Sequence, residues 1–344
     1  MPNIIFRCDA GNYPEIGTGH ITRCINLANK LVKKNIVKKF EISFLTRNDK
    51  NYSLGKKILS NNNFNFYTKS NNLLESNSIS EIKEIIKLDP DIIVIDRLKT
   101  SKKFINALKG KDCKVITFDD YGNGRRYADL SICAIFNDVE ESLNLIKGYK
   151  YLILSSDKYV SKKTKVKIKN ITATFGGYDA RDLCGHFLKN LNKINENYKI
   201  NILLGEVRNT KLNEYNKIIE KLNNNKKVKI YIKPKNFKEL LSEADIGICS
   251  GGLTIFEFAA LGVPTIGLPQ YIHQLNTINN LSKLGICLYG SNRMNLNNQV
   301  LNDQINKLTR DHNLRLKMSN KAKSIIDGKG IERVIKILEK FFIR

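Results

Sequence analysis

The sequence predicts an α/β protein of two doubly wound parallel-sheet domains of the Rossmann kind. Three observations lead there. The chain of 344 residues exceeds the roughly 100–200 residues usual for one domain. Short, nearly continuous apolar runs alternate with longer stretches of helical periodicity, the rhythm of parallel strands covered on both faces. That rhythm stops at a charged stretch, KYVSKKTKVKIK at residues 158–169, and then resumes.

Taken in order, strands are predicted at Ile4–Cys8, 41–45, Ile92–Asp96, Lys114–Phe118 and 130–134, with helices at 21–33, 79–88 and 102–108. After the charged linker, strands are expected at 170–175, 200–204, 228–232, Ile246–Cys249, 265–268 and Cys287–Tyr289. Strands separated by helices argue for two parallel sheets. The Asn-rich segments 61–65 and 223–227 read as loops. Residues 314–342 are largely helical, interrupted by Gly328 and Gly330. The division expected is therefore 1–157, a linker at 158–169, 170–325, and a last helix within 326–344 packing back on the first domain. No repeat of solenoid period is present.

Composition narrows the classes. The 42% hydrophobic and 26% charged fractions are ordinary for a globular protein. The 58 Lys+Arg against 33 Asp+Glu, a net charge of +25, are not ordinary. Such an excess attracts polyanions, including nucleic acid, anionic membrane and phosphorylated substrates. The basic residues are spread along the chain, and no zinc-finger, aromatic ribonucleoprotein or basic-zipper pattern accompanies them, so no dedicated nucleic-acid site is expected. Seven cysteines include no C-x-x-C pair and lie mostly in apolar runs, as reduced core residues do. The N-terminus lacks the pattern of a secretory leader, and no apolar run approaches the ~20 residues of a membrane span. A soluble, cytoplasmic protein is expected, with its oligomeric state left open.

In open parallel sheets, ligands bind on the loops beyond the carboxyl ends of the strands. The loop after the first strand reads RCDAGNYPEIGTGHITR from Arg7 to Arg23. Gly17 and Gly19 permit close approach of backbone to ligand. A helix beginning near His20 would turn free N–H groups and a positive dipole end toward that ligand. A histidine there suits a general base. His20 and Asp9 are therefore the candidate catalytic residues, and Gly17, Gly19 and Arg23 the substrate-binding ones. Arg23 and Asp9 are equally capable of being structural ion-pair partners. The dinucleotide fingerprint is absent, because no third glycine stands at the required spacing.

A second such loop, Ser250-Gly251-Gly252, joins strand 246–249 to a helix whose N-terminus suits a diphosphate. Thr254 lies beside it, and Glu257, one turn in, has carboxylate reach to a ribose diol. His273, Gln274 and Asn276 follow the next strand as polar groups at the ligand edge. Gly176 and Gly177, after the first strand of the second half, suit close approach of phosphate or sugar. Asp119-Asp120 follows a first-half strand, but a lone Asp-Asp is more often a turn or helix cap and is read so. His186 and His312 sit in helical patterns and read as solvated or structural.

Together, R-x-D…I-G-x-G-H-x-x-R from Arg7 to Arg23, F-G-G-x-D from Phe175, and S-G-G-x-T-x-x-E-x-x-x-L-G-x-P from Ser250 resemble the UDP-sugar hydrolases of pseudaminic-acid biosynthesis. A wider group of spore-coat polysaccharide proteins is similar. The resemblance covers most of the chain in the correct order. It implies the glycosyltransferase-B architecture, two Rossmann-like domains facing a cleft, the second holding the nucleotide. It also implies release of UDP from a UDP-linked diacetamido-trideoxy-hexose by water attack at the anomeric carbon, with no metal and no cofactor. His20 would be the base, Ser250–Thr254 the diphosphate loop, and Glu257 the ribose ligand. Gln274 and Asn276 fall where the family has its asparagine–glutamine segment. Two departures bear on the sugar. Asp96-Arg97-Leu98-Lys99 replaces a His-Tyr-Gly segment of the family, and the loop between Asp9 and Ile16 is about two residues longer than its pattern.

Other readings follow from the same residues. A UDP-sugar-dependent glycosyltransferase would deprotonate a sugar alcohol with the same base, and the net charge of +25 permits a lipid-linked acceptor with peripheral membrane association. A non-catalytic nucleotide-sugar-binding protein would bind without turnover.

Overall fold

The computed structural model describes residues 2–11, 16–135, 139–154, 159–160, 162–191, 198–205, 207–222, 227–290 and 296–342. The chain forms two compact units, one of Met1–Asp157 with Gly328–Arg344, the other of Lys158–Asp327.

The first unit is a seven-stranded sheet in the order β3-β2-β1-β4-β5-β6-β7, with every pair parallel. Its strands are β1 (Ile4–Cys8), β2 (Ile42–Arg47), β3 (Asn65–Lys69), β4 (Ile92–Asp96), β5 (Lys114–Phe118), β6 (Leu130–Cys133) and β7 (Leu145–Lys147). Its helices are α1 (Gly19–Lys33), α2 (Leu54–Ser60), α3 (Ile79–Ile86) and α4 (Lys102–Lys109). The sequence reading had no β3, β7 or α2. Asn65, placed in a loop, opens β3 at the sheet edge, where half-exposed residues leave no apolar run to recognise.

Alternation along β1 divides the apolar residues between two faces. Ile4, Phe6 and Cys8 join the core on the α1 side, where the Phe6 and Phe44 rings stack at 5.1 Å. Ile5 joins Ile93, Ile95 and Val115 with Phe104 and Leu108 of α4 on the other. Each fully buried large apolar side chain contributes about 1.5–3 kcal/mol. Ser78 and Ser101 cap α3 and α4 by accepting from the N–H of Glu81 and Phe104, worth about 1 kcal/mol each.

The second unit repeats the pattern as a six-stranded sheet, β10-β9-β8-β11-β12-β13, again all parallel. The strands are β8 (Asn170–Thr174), β9 (Lys199–Leu204), β10 (Lys227–Ile232), β11 (Ile246–Cys249), β12 (Thr265–Gly267) and β13 (Cys287–Tyr289). The helices are α5 (Leu183–Asn190), α6 (Asn209–Glu220), α7 (Phe237–Glu243), α8 (Leu253–Leu261), α9 (Ile272–Lys283), α10 (Asn298–Arg310) and α11 (His312–Ile325). Residues 223–226 of the expected Asn-rich loop lie outside the described residues. Buried Arg315 of α11 donates to the carbonyls of Leu308 and Thr309 at the end of α10, and to those of Lys165 and Val166. One guanidinium thus fastens a helix end to the charged segment.

The final helix, α12 (Gly330–Phe342), belongs to the first unit. Ile331, Val334, Ile335 and Leu338 enter the core that holds Leu27 and Leu31 of α1, and Lys30 pairs with Glu332 at 2.5 Å. Among the described residues, no helix is long and apolar enough to cross a membrane.

Candidate functional site

Both sheets reverse their order beside their first strand, β1 against β4 in one and β8 against β11 in the other. At such a switch point the flanking loops diverge and leave room for a ligand beyond the carboxyl ends. The candidate residues gather at these two places.

At the first switch point, Asp96 is the last residue of β4, in register with Cys8 of β1. His20 is the second residue of α1. Its Nδ1 lies 2.6 Å from Asp96 Oδ1. Asp96 also accepts from Arg23, Nε to Oδ2 at 2.7 Å and Nη2 to Oδ1 at 2.6 Å, and from the Cys24 thiol at 3.6 Å. Burial acts to raise the Asp96 carboxyl, but the charges of Arg23 and His20 outweigh it and bring it down to about 2. An ionised carboxylate only accepts, so the shared proton sits on Nδ1. Among the described residues Nε2 has no hydrogen-bond partner. The His20 side chain is 19% exposed while that of Asp96 is wholly buried.

Arg23, expected to bind substrate, is committed to protein. Its Nη1 meets Asp119 Oδ2, so all three of its nitrogens serve two carboxylates. Asp119 in turn accepts from the N–H groups of Ala134 and Ile135. The Asp-Asp pair therefore splits. Asp119 joins the histidine's surroundings, whereas Asp120 accepts from Thr100 and the Gly122 N–H and holds a turn. Burial pushes the Asp120 carboxyl up to about 6.

Asp9 is not beside His20's partner nitrogen. Its oxygens take Arg7 Nη1 at 2.6 Å, Arg47 Nε at 2.9 Å and the Arg47 N–H at 2.8 Å. Burial favours its neutral form, yet Arg7 and Arg47 prevail and hold the carboxyl well below the usual range. A carboxylate so engaged is a poor proton acceptor, and the carboxylate in contact with His20 is Asp96, which was not among the sequence-predicted site residues. The network continues through Arg7 to Glu81, which Arg97 also grips from β4's exit. Residue 97, where the family pattern has a different segment, is thus a structural cation. Gly17 and Gly19 have ordinary negative φ. Gly11 is the crowded position, since a Cβ there would stand 2.0 Å from the Asn51 carbonyl oxygen. Residues 12–15 of this loop lie outside the described residues.

At the second switch point, Gly176 adopts φ +84°, and a Cβ on it would approach the Ser250 hydroxyl at 3.9 Å. The loops after β8 and β11 are therefore neighbours, as the sequence spacing alone did not require. Gly177 packs against Gly205. Gly252 caps α8 without a side-chain bond, and the first turn of α8 has no acidic residue. Thr254 lies half-buried in that turn. Free N–H groups and a positive dipole end are what an anionic group binds. Gly251 presses on α9, where a Cβ would meet the Gln274 carbonyl oxygen at 2.6 Å.

Gln274 is buried, its Oε1 accepting from the Gln270 N–H at 3.0 Å. Gln270, which the sequence reading passed over, spans the loops: its Nε2 donates to Phe175 O at 2.6 Å and its Oε1 accepts from Ala180 N–H. Asn276 lies exposed two residues on from Gln274, a turn of about 200° around α9, so the two do not share a face. His273 shares the face of Asn276 and stacks on Tyr271 at 5.6 Å. Glu257 is buried in α8, with Tyr159 donating to its Oε1 at 3.2 Å. Among the described residues no three His, Cys, Asp or Glu side chains are grouped to hold a metal ion.

Comparison with known proteins gives the class of fold. Residues 170–334 match the glycosyltransferase family 28 C-terminal domain. The chain is similar to the crystal structure of Acinetobacter baumannii MurG, with TM-score 0.73 and 18% identity over 98% of this chain and 100% of that one. It is also similar to a co-structure of Staphylococcus aureus MnaA with UDP, at TM-score 0.66 and 14% identity over 99% and 97% of the two chains. The two Rossmann-like units are those of the glycosyltransferase-B fold, as the sequence predicted.

Two curated relatives are nearer in sequence. The spore coat polysaccharide biosynthesis protein SpsG of Bacillus subtilis is 24% identical over 346 residues, 96% of each chain. An uncharacterized protein of Methanocaldococcus jannaschii is 32% identical over 272 residues, 74% of this chain. The match spans about half, 54%, of that relative's length.

Proposed function

We propose that this protein binds a UDP-sugar and hydrolyses it, releasing UDP and the free sugar for synthesis of a surface glycan. The observation that carries the reading is the His20–Asp96 contact, a histidine held through Nδ1 by a buried carboxylate. His20 Nε2 takes a proton from water as the water oxygen bonds to the anomeric carbon. The bond from that carbon to the phosphate oxygen breaks, and UDP leaves with the electron pair. Asp96 steadies the imidazolium, the task of the buried carboxylate in other oriented histidines. The uncapped start of α8, with Ser250, Gly251, Gly252 and Thr254, binds the diphosphate, and Glu257 the ribose. The capture of UDP by a protein of this fold supports the nucleotide, and the likeness to a spore coat polysaccharide biosynthesis protein supports the surface glycan. The resemblance of the Arg7–Arg23 and Ser250–Pro264 segments to UDP-sugar hydrolases supports a diacetamido-trideoxy-hexose.

The second reading, transfer to an alcohol acceptor, is supported by the match of residues 170–334 to a glycosyltransferase domain. Incubation with a panel of UDP-sugars, diacetamido-trideoxy compounds included and no acceptor present, separates the two. Release of UDP that disappears in His20→Ala supports hydrolysis. Binding without release refutes it and moves the transferase to first place.

A further inference from the structure

The buried surroundings of His20 hold more charge than an orienting carboxylate needs. The Arg23 guanidinium forks onto both oxygens of Asp96, so Asp96 and Arg23 by themselves are a neutral pair. A neutral pair presents little field to an imidazole in contact with it, and a base supported by it would gain little from becoming a cation. Asp119 changes that sum. It bonds the third nitrogen of Arg23 from the end of β5, so two carboxylates and one guanidinium leave a single negative charge. That charge is balanced when His20 accepts a proton. Among the described residues, the side-chain hydrogen bonds of these three go to one another, to His20, to the Cys24 thiol and to the N–H groups of Ala134 and Ile135.

The fold secures Asp119 at some cost. Its backbone lies at φ +45°, a region a non-glycine residue seldom adopts. Its N–H donates to Ile132 O at 2.9 Å, and its Oδ1 collects the N–H groups of Ala134 and Ile135 at 2.7 and 2.8 Å. Three buried groups in one chain of contacts, at side-chain exposures of 5% or less for Arg23, Asp96 and Asp119, are screened little by water.

We propose that Asp119 and Arg23 are positioning residues acting on His20 through Asp96, with Asp119 restoring the negative charge that Arg23 would otherwise cancel. The inference deepens the assignment of His20 as base and rests on it. Arg23 bridges the two carboxylates, and Asp119 keeps the group as a whole anionic until the proton arrives from the attacking water.

The test is a charge-restoring pair of variants of the full chain. Asp119→Asn retains an oxygen for Ala134 and Ile135 but neutralises the group, and kcat for UDP release is expected to fall roughly 10- to 100-fold at unchanged KM, the size typical of losing an outer-shell partner at metal sites. Arg23→Gln added to Asp119→Asn removes both charges and returns the group to one negative charge, so most of the lost kcat is expected back. A double variant no better than the single one overturns the proposal, since a purely structural pair predicts further loss. The low-field NMR proton between His20 Nδ1 and Asp96 provides the second readout in the same proteins. It is expected to move upfield in Asp119→Asn and return in the double variant, and an unmoved signal also overturns the proposal. If the signal behaves as expected while the wild-type protein turns over no UDP-sugar, the relay stands and the enzymatic assignment falls.

Discussion

His20 on α1 and Asp96 at the end of β4 stand 76 positions apart in sequence yet meet at 2.6 Å across the reversal of strand order. Neither element would bring them together alone. The parallel register that sets Asp96 opposite Cys8 delivers the carboxylate to the point where the helix after β1 begins. The consequence is a histidine whose Nδ1 is held by a buried carboxylate.

His20→Ala is therefore expected to lose turnover by about 10²–10⁴-fold, the range of a general base, with UDP affinity by calorimetry unchanged. Asp96→Asn should lower kcat strongly as well, because an amide accepts Nδ1–H less well and can favour the wrong tautomer. Near-normal activity in either variant would remove the pair from the chemistry.

Water attack at the anomeric carbon leaves a specific isotope record. Hydrolysis in ¹⁸O-labelled water is expected to put the label on the sugar and none on UDP, read by mass spectrometry. Label in the UDP phosphate would mean that the phosphorus–oxygen bond is the one cleaved.

The second unit makes its own prediction at Gly251. Any Cβ there meets backbone of Gln274 at 2.6 Å, so Gly251→Ala forces the loop away from α9 and spoils the start of α8. UDP binding should weaken about tenfold, roughly 1.4 kcal/mol, while His20 is untouched. Unchanged affinity would place the diphosphate elsewhere.

Glu257→Ala should weaken UDP binding by about 1–3 kcal/mol, the usual cost of losing a charged hydrogen-bond acceptor. Affinity for inorganic diphosphate should stay constant, because the carboxylate is assigned to the ribose. Equal loss for both ligands would make Glu257 a support for α8 through Tyr159 instead.

Asp120 offers a pH signature. Its carboxyl, raised by burial from the ordinary 3.8 to about 6, binds its proton more tightly folded than unfolded. The stability it contributes is complete below pH 4 and is lost as pH rises through 6. Asp120→Asn should then gain on the wild-type protein across that window by up to about 3 kcal/mol, seen as a widening Tm difference. Asp96, held down at about 2, has the opposite sign: its contribution is present above 3.8 and is lost as pH falls toward 2.

The sheets were legible because β1, β4, β5, β8 and β11 are short, mostly apolar and largely buried runs, as doubly covered strands tend to be. β3 was not: Asn65 falls in the Asn-rich segment 61–65 read as a loop, and the rest of the strand is exposed or half-exposed at the sheet edge, with no buried apolar run to mark it. At the site, the glycine loops and His20 announced themselves by position. Asp96 carried a signal too, a carboxylate closing the otherwise apolar IIVID of β4. Asp9 drew the assignment by its nearness in sequence, but alternation sends Arg7 and Asp9 toward Glu81 and Arg47. No local pattern separates a carboxylate that pairs with arginines from one that pairs with a histidine. Gln270 was invisible because its work is to join its own loop to the loop after β8, distant in sequence.

The return of α12 to the first unit sets an order of events on the ribosome. Residues 158–327 are contiguous and have all their strands once that stretch has emerged. The first unit, although begun earlier, lacks Ile331, Val334, Ile335 and Leu338 of its core until the last helix is made. The half of the molecule bearing His20 is thus the later to be finished. A nascent chain stopped after α11 would carry the strands and helices of the second unit, and a first unit whose core still lacks the apolar side chains of α12.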